Sequence, residues 1–322
     1  MISFIAQRIA KAIVVLLALV VLNFFLIRMA PGDPALVMAG EAGAGDQVFL
    51  AQLREKFGLD QPLPVQLFLY VKGILSLDLG FSFRQQMPVA TLILQRLPAT
   101  LLLTGTAFAI SLAFGILFGA LAARFAGTWA DTAITVLALV FYATPLFWVA
   151  LMAILLFSVT MDWLPSFGYE TVGANYTGLA HVLDVAAHLV LPATTIGLFF
   201  MATYARMTRA SMLEVVRLDF VKTARAKGLS DTVIQRRHVL RNALLPVVTL
   251  AGLQAGTLVG GAVLTETVFS WPGLGSLLIK GIATRDFPLV QGCVLVIAAM
   301  FVGVNLVVDL LYAYLDPKVR YG

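Results

Sequence analysis

Long uncharged apolar runs, rather than an alternation of buried and exposed positions, dominate this chain. Six stretches carry no Asp, Glu, Lys or Arg: residues 12–27, 99–123, 133–161, 185–205, 243–265 and 287–308. A helix of about 20 apolar residues crosses the hydrocarbon of a bilayer, so each run predicts a membrane span. The first reaches that length when Lys11 snorkels its ammonium to the interface. Arg8 and Lys11 before it also fit a secretory signal, but the run ends in Arg28 and Pro31-Gly32-Asp33-Pro34 rather than a small-residue cleavage site, so a retained span is expected. Pro145 and Pro192 lie inside two of the runs and predict kinks, which membrane helices tolerate.

Composition agrees with the pattern. Of the 322 residues 60% are hydrophobic and 12% charged, against a charged share of about 25% in soluble domains. The single cysteine, Cys293, excludes an internal disulfide scaffold. The net charge of +5 would suggest nucleic acid in a soluble protein, whereas in a membrane protein it marks cytoplasmic loops. Six spans put both termini on one side. Placing them in the cytoplasm puts fourteen of the 22 basic residues there, including Lys318 and Arg320. The expected fold is therefore all-α and polytopic, with six transmembrane helices and both termini cytoplasmic. It divides into a first span (1–30), an external segment (31–98) and a five-helix core (99–322). Within the external segment, amphipathic runs at 47–57 and 64–77, parted by Gly58-Leu59-Asp60-Gln61-Pro62, predict a small helical subdomain.

The cytoplasmic loop, 206–242, holds nine basic and three acidic residues. Asp219 is placed to cap a short helix over 220–227, and Gly228 to end it in the left-handed conformation. Ser230 is placed to cap a second helix, 231–244, with Pro246 just inside the next membrane run. Helix, glycine turn and basic helix also make up a DNA-binding motif, but a position between two spans excludes nucleic acid as the partner. For Arg236, Arg237 and Arg241, enforcing topology is an equally good account. Ala224 and Gly228, four residues apart and flanked by Lys222, Arg225 and Lys227, predict a notch without bulk for a protein partner.

These residues carry a family resemblance. Thr223-Ala224-Arg225-Ala226-Lys227-Gly228-Leu229, followed by Arg241-Asn242-Ala243-Leu244-Leu245-Pro246, resembles the cytoplasmic motif of ABC importer permeases. Pro31-Gly32-Asp33-Pro34, the stretch Glu266-Thr267-Val268-Phe269-Ser270-Trp271-Pro272-Gly273-Leu274-Gly275, and Leu315-Asp316-Pro317-Lys318 are similar to the dipeptide, oligopeptide and nickel branch. Where the general motif reads Glu-Ala-Ala this chain has Lys222, Thr223 and Ala224, and its glycine-to-proline spacing is longer. The resemblance implies a type I importer permease fold with an external helical segment between the first two spans, in a bacterial inner membrane. It also implies a coupling helix, made by Lys222 to Leu229 with Pro246 behind it, seated in a groove of an ATP-binding subunit. The implied partners are a second homologous permease, two ATP-binding subunits and an extracytoplasmic substrate-binding protein, in membrane lipid. Peptides or nickel complexes are the implied cargo.

Chemistry of the chain's own is not in view. No Gly-Lys dipeptide occurs, so no phosphate loop is present and ATP and Mg are expected on the partner subunits, with no cofactor or metal on this chain. His181, His188 and Asp184 are read as interfacial polar groups rather than a metal site. No ionisable relay lies within a span, Glu266 and Asp309 being at the edges, which argues against the alternative of a carrier or channel working without an ATPase. Gly115 and Gly119, and Gly252, Gly256 and Gly260, have the spacing at which membrane helices approach closely. Packing within the subunit accounts for the second set, or else a place for the fifth span at the pathway or against the partner permease, with Gln254 and Thr257 as polar lining. Trp271 reads as an interfacial anchor, and the resemblance implies that this external segment, with Glu266, gates the pathway or meets the substrate-binding protein.

Overall fold

The computed structural model describes residues 2–29, 47–56 and 60–315. The Pro31 to Pro34 motif, the Gly58-Leu59 turn, and Asp316, Pro317, Lys318 and Arg320 lie outside the described residues. The chain divides into two compact units, residues 1–100 with 272–322, and residues 101–271. Among the described residues five helices are long and apolar enough to cross a membrane, and a bent pair makes a sixth crossing if counted as one.

In the first unit, α1 (Ile2–Arg28) packs along α12 (Phe287–Leu315), and α3 (Leu63–Leu75) packs on α1. The helix α2 (Gln47–Lys56) precedes α3, so both amphipathic runs are helical. A hairpin of two-residue strands, β1 (Phe81–Ser82) and β2 (Met87–Pro88), is the one departure from an all-helical reading among the described residues. It leads into α4 (Val89–Arg124), a helix of 36 residues and about 54 Å that begins ten residues before the apolar run and continues through Pro98. Val89, Leu92 and Ile93 of α4 form a core with Leu274 and Leu277 of α11 (Leu274–Ala283) and Leu289 and Cys293 of α12. Two buried polar contacts fix that core. Thr100 Oγ1 accepts the Leu274 N–H at 2.8 Å, and the Ser82 hydroxyl donates to Asp286, whose carbonyl accepts from Val290 in the first turn of α12.

The second unit is built around α7 (Leu179–Val215), which packs against α5 (Trp129–Ala143), α6 (Leu146–Ala153) and α10 (Arg241–Val268). Its approach to α4 is close enough to require glycine. A Cβ on Gly115 would stand 2.5 Å from Tyr204 Cβ, and one on Gly119 2.5 Å from the Ala205 carbonyl oxygen. That pair of glycines therefore serves packing within the subunit.

The third apolar run is broken rather than kinked. Its halves are bent by 104° between α5 and α6, the second continuing as a wider π-helical turn over Ile154–Thr160. The cause is local. A residue before proline is driven from helical geometry to extended geometry, and Thr144, preceding Pro145, has φ −82° and ψ 135°. Pro145 then starts the next helix, its carbonyl accepting from Trp148 at 3.0 Å. Pro192, by contrast, sits within an uninterrupted α7.

Candidate functional site: the loop between α7 and α10

The loop folds as predicted in outline. The short helix α8 (Asp219–Ala226) is followed by a turn, then by α9 (Asp231–Val233) and a π-helical stretch, Ile234–Leu240, that runs directly into α10. Pro246 lies inside α10, and there is no break between the second loop helix and the membrane helix.

The end of α8 is closed by glycine. Gly228 has φ +75°; its N–H bonds the Arg225 carbonyl at 2.9 Å and the Leu229 N–H bonds the Ala224 carbonyl at 3.4 Å. This reciprocal pair satisfies two of the carbonyls a helix leaves orphaned at its end. The other end differs from expectation. Leu218 rather than Asp219 occupies the cap position with no side-chain cap bond, and Asp219 instead accepts from Lys222 Nζ at 2.8 Å. That fully solvated pair contributes little to stability.

Ala224 does not form an open notch with Gly228. It is 5% exposed and faces inward with Val221, packed with Met212, Ile234, Val239 and Ala243. Ala120 and Ala123 of α4 and Val215 of α7 complete the cluster. At 100° per residue, Val221 and Ala224 define the inner face, which leaves Asp219, Lys222, Thr223 and Ala226 outward. The small residues offered to the surroundings are thus Thr223 and Ala226, beside exposed Gly228 and ringed by Lys222, Arg225 and Lys227. Phe220 and Leu229 are each 40% exposed on the flanks. The Thr223 hydroxyl donates to the Asp219 carbonyl at 3.0 Å, so its proton is engaged while its oxygen can still accept. The result is a low, apolar-flanked patch bordered by three cations, with Asp219 on the same side and paired to Lys222.

Two of the loop's basic residues have other duties. Arg206 lies over the Tyr142 ring at 4.8 Å, and Arg209 grips Asp131 with two parallel bonds of 2.6 and 2.7 Å. Asp131 also accepts from the Gly127 N–H at 3.0 Å, which ties the turn before α5 to α7. Sequence reasoning missed this clamp because its partners are 78 residues apart and neither stands in a local motif.

The pathway candidates separate. Gln254 Oε1 is buried without a hydrogen-bond partner, whereas exposed Thr257 donates to the Gln254 carbonyl at 2.7 Å. Gly260 faces open space, with nothing within 4 Å of an added Cβ. Glu266 and Trp271 are both wholly buried. Trp271 is therefore not an exposed interfacial anchor; its ring packs against Tyr169 at 4.9 Å between centroids, and its backbone N–H donates to the Glu266 carbonyl at 2.8 Å. Gly168 N–H bonds the Phe269 carbonyl at 2.9 Å, so the segment before α7 covers the end of α10. His181 pairs with Glu170 at 3.2 Å, while Asp184 binds the N–H and hydroxyl of Thr171, each at 2.7 Å. Among the described residues no three His, Cys, Asp or Glu side chains are grouped to hold a metal.

Comparison with known proteins agrees with this architecture. Residues 115–321 match the family described as binding-protein-dependent transport system inner membrane component, and residues 1–104 match its N-terminal counterpart. The chain belongs to this family. Relatives include the dipeptide transport system permease protein DppB of Escherichia coli (strain K12), 41% identical with all of this chain and 99% of that protein covered. The di/tripeptide transport system permease protein DppB of Pseudomonas aeruginosa (strain UCBPP-PA14) is 42% identical, with the same coverage. Among solved structures, the inward-facing MetNI methionine ABC transporter aligns over 70% of this chain and 96% of that chain, with 18% identity and a TM-score of 0.55, a likeness of fold. The resemblance read from the motifs holds at the level of the family, and the protein is a membrane transport component with several apolar helices.

Proposed function

We propose that this chain is one of two permease subunits of a bacterial ABC importer for di- or oligopeptides, forming half of the translocation pathway. The observation that carries the reading is α8: its outer face is small and bordered by Lys222, Arg225 and Lys227, with Asp219 paired to Lys222, and its inner face shares one core with α4, α7, the loop helices and the start of α10. A force applied to that face by an ATP-binding subunit moves the ends of three membrane helices together. Interfaces and packed cores switch between discrete arrangements rather than deforming smoothly, so such a displacement propagates. The bent α5–α6 pair counts as one crossing in this reading, which gives six spans with both ends in the cytoplasm and the molecule in the inner membrane. ATP and Mg are held by the partner subunits, and a binding protein delivers peptide at the opposite face. The full-length similarity to peptide permeases supports this choice of cargo.

Coupling requires that nucleotide and peptide favour different conformations of the assembly. In nanodiscs holding this chain, its second permease and the ATP-binding subunits, peptide-loaded binding protein is expected to raise ATP hydrolysis several-fold. Ala226→Trp, which fills the outer face of α8, is expected to abolish that stimulation. Peptide uptake by this chain reconstituted alone would overturn the reading in favour of a carrier.

A further inference from the structure

The helix α3 is inside out for water. Val65, Phe68, Leu69 and Leu75, at one-face helical spacing, are 41, 67, 44 and 74% exposed, and Lys72 is the one charged side chain among them. The opposite side holds the polar groups. Gln66 is 6% exposed and donates to the Gln61 carbonyl at 2.6 Å, and the Tyr70 hydroxyl accepts from Asn23 Nδ2 at 3.3 Å. An amphipathic helix resting on a soluble core has the reverse arrangement.

The contacts of Tyr70 place this face. Its ring packs on Phe24 at 5.6 Å, and Asn23 and Phe24 stand in the last turn of the apolar segment Ala6–Leu26. A helix held there lies at the depth where α1 leaves the hydrocarbon. Leu22, Phe25 and Leu26, at the same depth on α1, are 55, 45 and 58% exposed, so apolar surface continues from one helix to the other at that level. With 13 residues, about 20 Å long, α3 falls short of the roughly 30 Å needed to cross. A helix of this kind lies flat in the interface with its apolar side among acyl chains, and a lysine stem extends its ammonium to the headgroups.

We infer that α3 is an interfacial helix whose Val65, Phe68, Leu69 and Leu75 face is seated in the bilayer, with Lys72 directed at lipid phosphate. Its occupant is lipid because the face meets the boundary of a membrane helix and carries a single cation with no acidic residue to complement a basic partner. The inference goes beyond the transport reading and does not depend on the cargo.

Nitroxide labels at Phe68→Cys, Leu69→Cys and Asp78→Cys in the assembled transporter in nanodiscs test it by power saturation with oxygen and a nickel chelate. Wholly buried Cys293 is the control expected to stay unlabelled. At positions 68 and 69 the oxygen-to-nickel accessibility ratio is expected to be several-fold above that at 78. Nickel access at 68 and 69 equal to that at 78 means water, and shielding from both reagents means a protein partner; either overturns the inference. Phe68→Trp in lipid brominated on its acyl chains gives a second reading. Added quenching relative to the unsubstituted protein is expected, and its absence would overturn the proposal equally.

Discussion

Gly228 shows what one residue contributes to the loop. Its φ of +75° costs glycine nothing and any other L-residue about 1–2 kcal/mol. An added Cβ meets nothing within 4 Å, so Gly228→Ala acts through backbone strain alone. Amides at the end of α8 are expected to exchange about five-fold or more faster in hydrogen exchange, with the rest of the chain unchanged. Asp131 and Arg209 act by pairing. Asp131→Asn removes the charge while keeping the shape, and should lower the unfolding midpoint by about 3 °C or more. Arg209→Lys, which loses the two-pronged grip, should fall between that variant and the parent in the same thermal scan. At this scale the sequence was legible where chemistry is local. Gly228 announced its turn because glycine is the residue that fits one. Ala224 did not announce its direction, because an eight-residue helix has its inner side chosen by whatever packs against it, here Ile234 and Val239 from farther along.

Among the elements, the break between α5 and α6 is the sharpest case. Proline predicted a disturbance of the third apolar run, but the size of a bend depends on whether neighbours hold the two halves in line. Pro145→Ala restores an N–H and frees Thr144 to enter the helical region. Spin labels on α5 and α6 should therefore move apart as the 104° bend straightens, which a dipolar distance measurement reads directly. The glycine pairs make the opposite lesson. Spacing alone did not separate Gly115 and Gly119 from Gly252, Gly256 and Gly260, since close approach depends on which helix lies opposite. Gly119→Leu drives atoms into the α7 backbone and is expected to destabilise the subunit by about 1–3 kcal/mol or more, whereas Gly260→Leu meets open space and should be near neutral in the isolated subunit. A loss of assembly by Gly260→Leu without loss of subunit stability would assign that position to a contact with another chain.

For the whole molecule, the decisive property of the proposed coupling is that the surface it assigns to an energy-supplying partner and the core it assigns to moving the membrane helices are opposite sides of one eight-residue helix. The two sides are separable by mutation. Phe220, 40% exposed, contributes to the offered surface, and Ile234, 1% exposed, belongs to the core beneath α8. Phe220→Ala removes apolar area available to a partner while leaving the wholly buried core beneath α8 in place; it is expected to weaken assembly with the ATP-binding subunits at a smaller cost in thermal stability than Ile234→Ala. Ile234→Ala opens a cavity beneath α8, at a cost of about 2–5 kcal/mol for a buried isoleucine. The surface then persists on a loosened support. ATP-binding subunits should still associate and hydrolyse ATP, while the peptide carried per ATP falls, because displacement of α8 is absorbed in the cavity instead of reaching α4, α7 and α10. Measuring both quantities on the same nanodiscs distinguishes the two failures. Equal loss of assembly in both variants would mean that α8 is a docking site alone, with force entering the membrane helices elsewhere.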